Sequence, residues 1–336
     1  MREARFGSGA LMLLAGVTLV LVSTGGGPGP LRGGADSERA GSDSGRLSSF
    51  VVRYQDIESR HAINLASVLP GETLQVSVIS QEPGSFDLES SRGSVRRVDA
   101  RTWDWVAPDS TGGAALVVTS PGGLDSVLIE AFVMVPYANF KGEVLNGYRV
   151  GRYPKVPLRD IYRAPRGLIE ITPENVETLV SPHFRLRQFV CKQAGDYPKY
   201  MVLEPDLLLK LEVILQRVND AGYDAGSLFV MSGYRTPFYN KAIGNSEWSR
   251  HKWGAAADIF IDEHPRDGTM DDLNGDGRID VKDAEVLAAI IEAESDKPSW
   301  RRFLGGLGIY KTNANHGPFV HVDIRGRKHR WGGNQE

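Results

Sequence analysis

An all-β sandwich followed by an α+β domain is the fold class this sequence predicts, and three observations lead to it. The chain has 336 residues, more than the roughly 100 to 200 of an ordinary domain. Between Phe50 and about Tyr137 short apolar runs alternate with polar positions and are broken by Pro-Gly turns, the pattern of an antiparallel sandwich. Beyond it, Leu207, Leu208, Leu211, Ile214, Leu215 and Val218 recur at spacings of three and four, the apolar stripe of a helix packed on a core.

Taken in order, residues 1–24 open with Arg2 and Arg5 ahead of an apolar run from Ala10 to Val22. That order of charge then hydrophobe predicts a signal peptide or a short signal-anchor. Residues 25–49 are Gly, Ser, Pro and charge with almost nothing to bury, a flexible linker. The sandwich occupies 50–140, with strands expected around Leu74 to Val78, Trp103 to Val106, Leu116 to Val118 and Val127 to Val135. A Pro-rich, basic connector fills 141–171, and the α+β domain runs over 172–330 with an insertion at 264–296. Its main helix begins at Pro205, which suits a first turn, and leaves at Gly222.

Composition narrows the chemistry. With 39 Lys plus Arg against 42 Asp plus Glu and a net charge of -3, the chain lacks the basic excess of a nucleic-acid binder. Cys191 is its single cysteine. No intrachain disulfide or thiolate-rich metal site is therefore open to it, and a metal must be held by His and carboxylates.

Such a set is present. Ser249, His251, Gly254, Ala256 and Asp258 spell Ser-x-His-x-x-Gly-x-Ala-x-Asp, and GPFVHVDIRG near the end adds His321. An imidazole and a carboxylate joined by small residues can approach each other, and a third nitrogen donor leaves one position of a tetrahedral catalytic zinc site open.

In these motifs, together with Arg235 in Ser-Gly-Tyr-Arg-Thr-Pro, the segment from Ser181 to Arg327 resembles the LAS-type zinc peptidases. That family includes D-Ala-D-Ala carboxypeptidases, vancomycin-resistance dipeptidases and phage endolysin peptidases, and shares its fold with the hedgehog signalling domain. The resemblance implies Zn2+ held by His251, Asp258 and His321, with Arg235 facing the cleft to bind substrate carbonyl or carboxylate oxygens. A guanidinium suits that task because it stays charged and donates two parallel hydrogen bonds. Family members commonly carry an acid three positions before the last histidine, or a histidine two before; here those positions are Pro318 and Phe319. On a strand Asp323 shares a face with His321, so Asp323 stands as general base or as orienter of a ligand, with His316 and Glu247 in reserve. Tyr234 and Ser232 are further candidates for assistance.

A second oxygen-rich loop lies between the two halves of the motif. Counting from Asp272, the sequence DLNGDGRIDVKD places Asn274, Asp276, the Arg278 carbonyl, Asp280 and Asp283 at the ligand positions of a twelve-residue Ca2+ loop, with Gly277 at the sharp turn. Position 12 is Asp rather than Glu and no entering helix is expected, so it resembles half of a dockerin-type EF-hand with a structural role. The exiting helix carries an apolar stripe of Val286, Leu287, Ile290 and Ile291.

The expected function is a zinc-dependent peptidoglycan peptidase acting on cell-wall stem peptides, D-Ala-D-Ala carboxypeptidase-like. The alternatives are an endopeptidase that cuts cross-links and a non-catalytic, zinc-containing wall-binding protein. The N-terminal run implies an extracytoplasmic location, periplasmic or wall-associated, with a membrane tether if it is not cleaved.

Overall fold

A computed structural model describes residues 47–333. The expected signal segment and nearly all of the expected linker lie outside the described residues. None of the described helices is long and apolar enough to cross a membrane. The described part is mostly β, and the α-helices among the described residues are Pro205–Asp220, Pro237–Ala242 and Val281–Glu292.

Two sheets form the N-terminal part. One has the order Ile57–His61, Leu47–Tyr54, Thr73–Ile79, Thr102–Val106, Ser94–Arg97. The other runs Ile63–Val68, Ser126–Val133, Gly112–Thr119, Asp87–Ser90. The first strand starts at Leu47, so the last three residues of the expected linker belong to it. Ser48 there is buried and Ser49 donates its N–H to Asp125 at 2.6 Å, contacts that local composition does not reveal. Alternating residues of the two sheets, among them Val52, Val76, Trp103, Trp105, Leu116 and Ile129, enclose one core, as period-2 patterning requires. Ile57–His61 pairs in the first sheet, and Ile63–Val68 immediately joins the second in parallel with Ser126–Val133.

The segment expected as a connector is built into the structure. Gly167–Ile171 pairs with Val135–Pro136 and with Lys199–Met201, and Tyr148 and Val150 are buried beside Leu168 and Tyr200. Leu65, Phe132 and Met134 of the N-terminal strands pack into the same core as the C-terminal helices.

The C-terminal sheet has the order Phe229–Ser232, Ala256–Phe260, Phe319–Asp323, Gly306–Tyr310, His329–Gly332. Ala257, Ile259, Val320, Val322 and Leu307 point from it into a core shared with the Pro205–Asp220 and Val281–Glu292 helices. The opposite face is left for chemistry. The Pro205–Asp220 helix has the expected bounds and apolar stripe, but it also buries Lys210 and Glu212. Glu212 accepts Ser181 Oγ at 2.6 Å and the His183 backbone N–H at 3.0 Å. Lys210 donates to the carbonyls of Phe303 at 3.1 Å and Asp323 at 2.8 Å. Burial pushes the Lys210 ammonium down to about 7, a shift that Asp323 opposes.

The Asp272–Asp283 loop leads into the Val281–Glu292 helix, and its carboxylates serve the backbone. Asp272 accepts the N–H groups of Gly275 at 2.9 Å and Gly277 at 2.7 Å. Fully buried Asp283 accepts those of Leu273 at 2.8 Å, Asn274 at 3.2 Å and Asp280 at 2.8 Å. Asp280 and Asp283 form a capping box at the helix start. Among the described residues, no group of three or more loop acids gathers ligand atoms within 4.8 Å. The Ca2+ site expected of Asp272, Asn274, Asp276, Arg278, Asp280 and Asp283 is therefore not supported. Oxygen-rich side chains in this loop have a second use, capping N–H groups that the tight turns leave unpaired. Asp283→Ala strands three backbone donors, that of Leu273 buried and those of Asn274 and Asp280 partly so, so a loss of roughly 2 to 4 kcal/mol is expected, measurable by urea unfolding; a loss below about 0.5 kcal/mol would refute the capping account.

Candidate metal centre

The floor of the site is one row of residues across the C-terminal sheet. Register pairs Ser232 with Asp258, Asp258 with His321, His321 with Gly308, and Gly308 with Trp331. Residues paired in register project to the same face. Gly308 keeps the row passable: a Cβ there would lie 2.3 Å from Trp331 Cε2. The indole occupies that space and comes within 5.1 Å of the His321 ring, centroid to centroid.

His251 arrives from the side, on the short turn Arg250–Trp253. Gly254 ends that turn at φ 62°, and a Cβ on it would sit 2.1 Å from the Val202 carbonyl oxygen. The glycine of the motif is thus required twice, by conformation and by space. Ala256, next along, is fully buried.

His251 Nε2 lies 3.2 Å from Asp258 Oδ1 and 3.2 Å from His321 Nδ1, and His321 Nδ1 lies 2.8 Å from Asp258 Oδ1. All three side chains are buried. Their outer atoms are occupied. His251 Nδ1 meets the Gly233 carbonyl at 2.6 Å, so it carries a proton and leaves the Nε2 lone pair facing inward. His321 Nε2 meets Asp323 Oδ2 at 3.2 Å and leaves Nδ1 facing inward. Arg235 donates to Asp258 Oδ2 and to Ser232 Oγ, the latter at 2.8 Å. Two imidazole lone pairs and an anionic oxygen converging at these distances repel one another unless a cation lies among them. The donor set, N, N and O with outer atoms fixed by hydrogen bonds, fits zinc. Without a cation at the centre, burial opposes ionisation of Asp258, but protons on the two imidazoles outweigh it and hold its carboxyl well below the usual range.

Asp323 is placed behind His321, on the nitrogen facing away from the centre. Its carboxylate also accepts the Gly306 N–H at 2.8 Å and Arg325 Nε at 2.9 Å. Of the two roles open to it, this position suits orienting His321 and not taking a proton from the reacting water. Asp323→Asn is expected to weaken zinc retention by roughly 10- to 100-fold, read by chelator competition; unchanged affinity would remove Asp323 from the site.

Arg235 lines the cleft, with its guanidinium shared between Asp258 and Ser232. Tyr234 does not reach it; it is buried and its hydroxyl meets that of Tyr153 at 3.0 Å. Cys191 packs in the core. The cleft above the row has a volume of about 930 Å³. Tyr162 and Trp248 form one aromatic wall, with ring centroids 5.2 Å apart. Tyr310 stacked on Phe319 at 4.5 Å, with Trp331 beside them, forms the other. Lys192, Arg325, His316 and His329 also line it. Sequence reading missed Lys192, Arg325 and Tyr162; only Arg325, two residues past Asp323, had a signal in strand alternation.

A buried His-Asp-His group at the floor of an open cleft is a candidate metal centre. Residues 182–273 match the family model described as Peptidase M15. That match supports an M15 zinc peptidase family for this segment, the LAS, D-Ala-D-Ala carboxypeptidase-like group. The match holds His251 and Asp258 and stops before His321, which the sheet register brings to them. No curated protein matches the chain.

Proposed function

We propose that this protein is a zinc-dependent peptidase of peptidoglycan stem peptides, carboxypeptidase-like in that it takes a peptide with a free carboxylate. The observation that carries this reading is the charge of the cleft: Lys192, Arg235, Arg250 and Arg325 line it, against Asp258 alone among the carboxylates. Arg235 and Arg325 are engaged with Asp258 and Asp323, while Lys192 has no carboxylate partner among the described residues. Lys192 is thus the cation available to a substrate carboxylate, with Arg235 beside it for a carbonyl oxygen.

His251, Asp258 and His321 would hold zinc, which when bound supplies a Lewis acid that activates water and polarises an amide carbonyl near neutral pH. The chain's own residues do the rest. Asp323 and the Gly233 carbonyl fix the two imidazoles, and Arg235 fixes Asp258. With Asp323 turned away, we assign the proton-accepting role to His316. Its Nδ1 donates to the Gly317 carbonyl at 2.7 Å, and the Nε2 lone pair of this cleft-lining ring accepts from Asn313 Nδ2 at 2.8 Å, which must release it for a proton to be taken. We read the two N-terminal sheets as a sandwich-type accessory module and the protein as extracytoplasmic, in keeping with the signal-like N-terminal sequence.

Defined muropeptides incubated with the purified protein and weighed by mass spectrometry test this. Loss of one terminal D-Ala supports the reading, whereas cleavage of dimers alone assigns an endopeptidase and no product assigns a wall-binding protein. His316→Ala should lower kcat on the order of 10²- to 10⁴-fold with zinc content unchanged; retained kcat would move the base elsewhere.

A further inference from the structure

Between the sheets and the family-matched segment lies a loop whose surface the peptidase reading does not use. Over Arg152 to Arg166 five cations, Arg152, Lys155, Arg159, Arg163 and Arg166, face one anion, Asp160, a net of +4 in a chain whose net charge is -3. Arg163 pairs with Asp160 and Arg166 with Glu72. Arg152, Lys155 and Arg159 have no carboxylate partner among the described residues. Set among these cations are exposed apolar side chains: Val156 is 82% exposed, Leu158 61% and, partly covered, Ile161 37%.

We propose that this loop is a docking surface for an anionic lipid membrane. Unpaired cations alone would serve any polyanion, but a hydrated polymer offers nothing to Val156, Leu158 and Ile161. A lipid interface accepts both, with the cations at anionic headgroups and the apolar side chains among the acyl chains. The sequence supports proximity to such a surface. Its N-terminal run, Arg2 and Arg5 ahead of the apolar Ala10–Val22, has the order of a signal peptide or signal-anchor. The loop is also joined to the cleft. Arg250, next to His251, donates to the Ile161 carbonyl, and Tyr162 lines the cleft wall. Docking therefore sets the cleft beside the membrane. The inference rests on the loop's own surface and holds whether or not the cleft is a peptidase.

The test uses the full chain in vesicles of equal parts phosphatidylglycerol and phosphatidylcholine. Leu158→Cys carries an environment-sensitive dye; Cys191 is buried and does not compete for it. Leu124→Cys, on a position 87% exposed in the N-terminal sheets, is the control. The dye at 158 should shift to the blue and be quenched by spin-labelled lipid, and the dye at 124 should not. Both effects should vanish on pure phosphatidylcholine. Arg152→Ala, Lys155→Ala and Arg159→Ala should each weaken lipid contact about fivefold. Absence of quenching at 158, equal quenching at both positions, or quenching that ignores anionic lipid overturns the proposal. So does retention on wall polymer without lipid quenching, which would assign the loop to that polymer instead.

Discussion

His251→Ala is expected to abolish zinc retention and muropeptide cleavage together while the fold persists. The imidazole supplies one of three inward-facing ligand atoms, and its removal leaves a two-donor site whose remaining nitrogen and carboxylate belong to adjacent strands. The loss should go well beyond the roughly 10- to 100-fold that removing an outer hydrogen-bond partner costs. Zinc content by elemental analysis and cleavage by mass spectrometry read it directly. Cleavage that survives without zinc would sink the metallopeptidase reading. Circular dichroism separates this outcome from unfolding, because the lost ring touches the Gly233 carbonyl and otherwise faces the centre.

Gly254→Val should be the most damaging single change to the fold of the site. The new side chain would begin 2.1 Å from the Val202 carbonyl oxygen and 2.4 Å from its carbon, on a backbone at φ 62°. A β-branched residue in that conformation is an outlier, and here the obstacle is backbone with nowhere to move. A destabilisation of about 3 kcal/mol or more is expected. Gly277→Ala provides the comparison, since its φ is 79° with nothing within 4 Å; it should cost only about 1 kcal/mol. Denaturant midpoints decide the matter, and equal shifts for the two variants would refute the collision.

What the sequence made legible was local. The helix over Pro205–Asp220 and the pairing of His251 with Asp258 follow from spacing within a few residues, and His321 from a short strand motif. The rest depends on which strands meet. No local pattern says that Gly308 and Trp331 complete the row begun by Ser232, because register is set by pairing between distant segments. Strand alternation places Asp323 on the face of His321, but only its contacts with Arg325 and the Gly306 N–H reveal that it stands on the outer nitrogen. Lys210 and Glu212 sit on a helix whose apolar positions were plain; helical periodicity gave no sign that two charged neighbours would be enclosed with them. The Asp272–Asp283 loop shows the converse limit. Its oxygen donors stand at the right intervals for an ion, yet the same intervals suit turns that cap their own backbone.

The register of Asp258 with His321 joins positions 63 apart in the chain, and the whole 264–296 insertion lies between them. The centre is therefore unfinished until the strand Phe319–Asp323 has taken its place between Ala256–Phe260 and Gly306–Tyr310. A chain that ends between Asp258 and Phe319 carries the Ser-x-His-x-x-Gly-x-Ala-x-Asp motif intact but lacks His321, the third ligand. Metal-binding capacity at this centre therefore depends on long-range strand pairing as well as on the local motif.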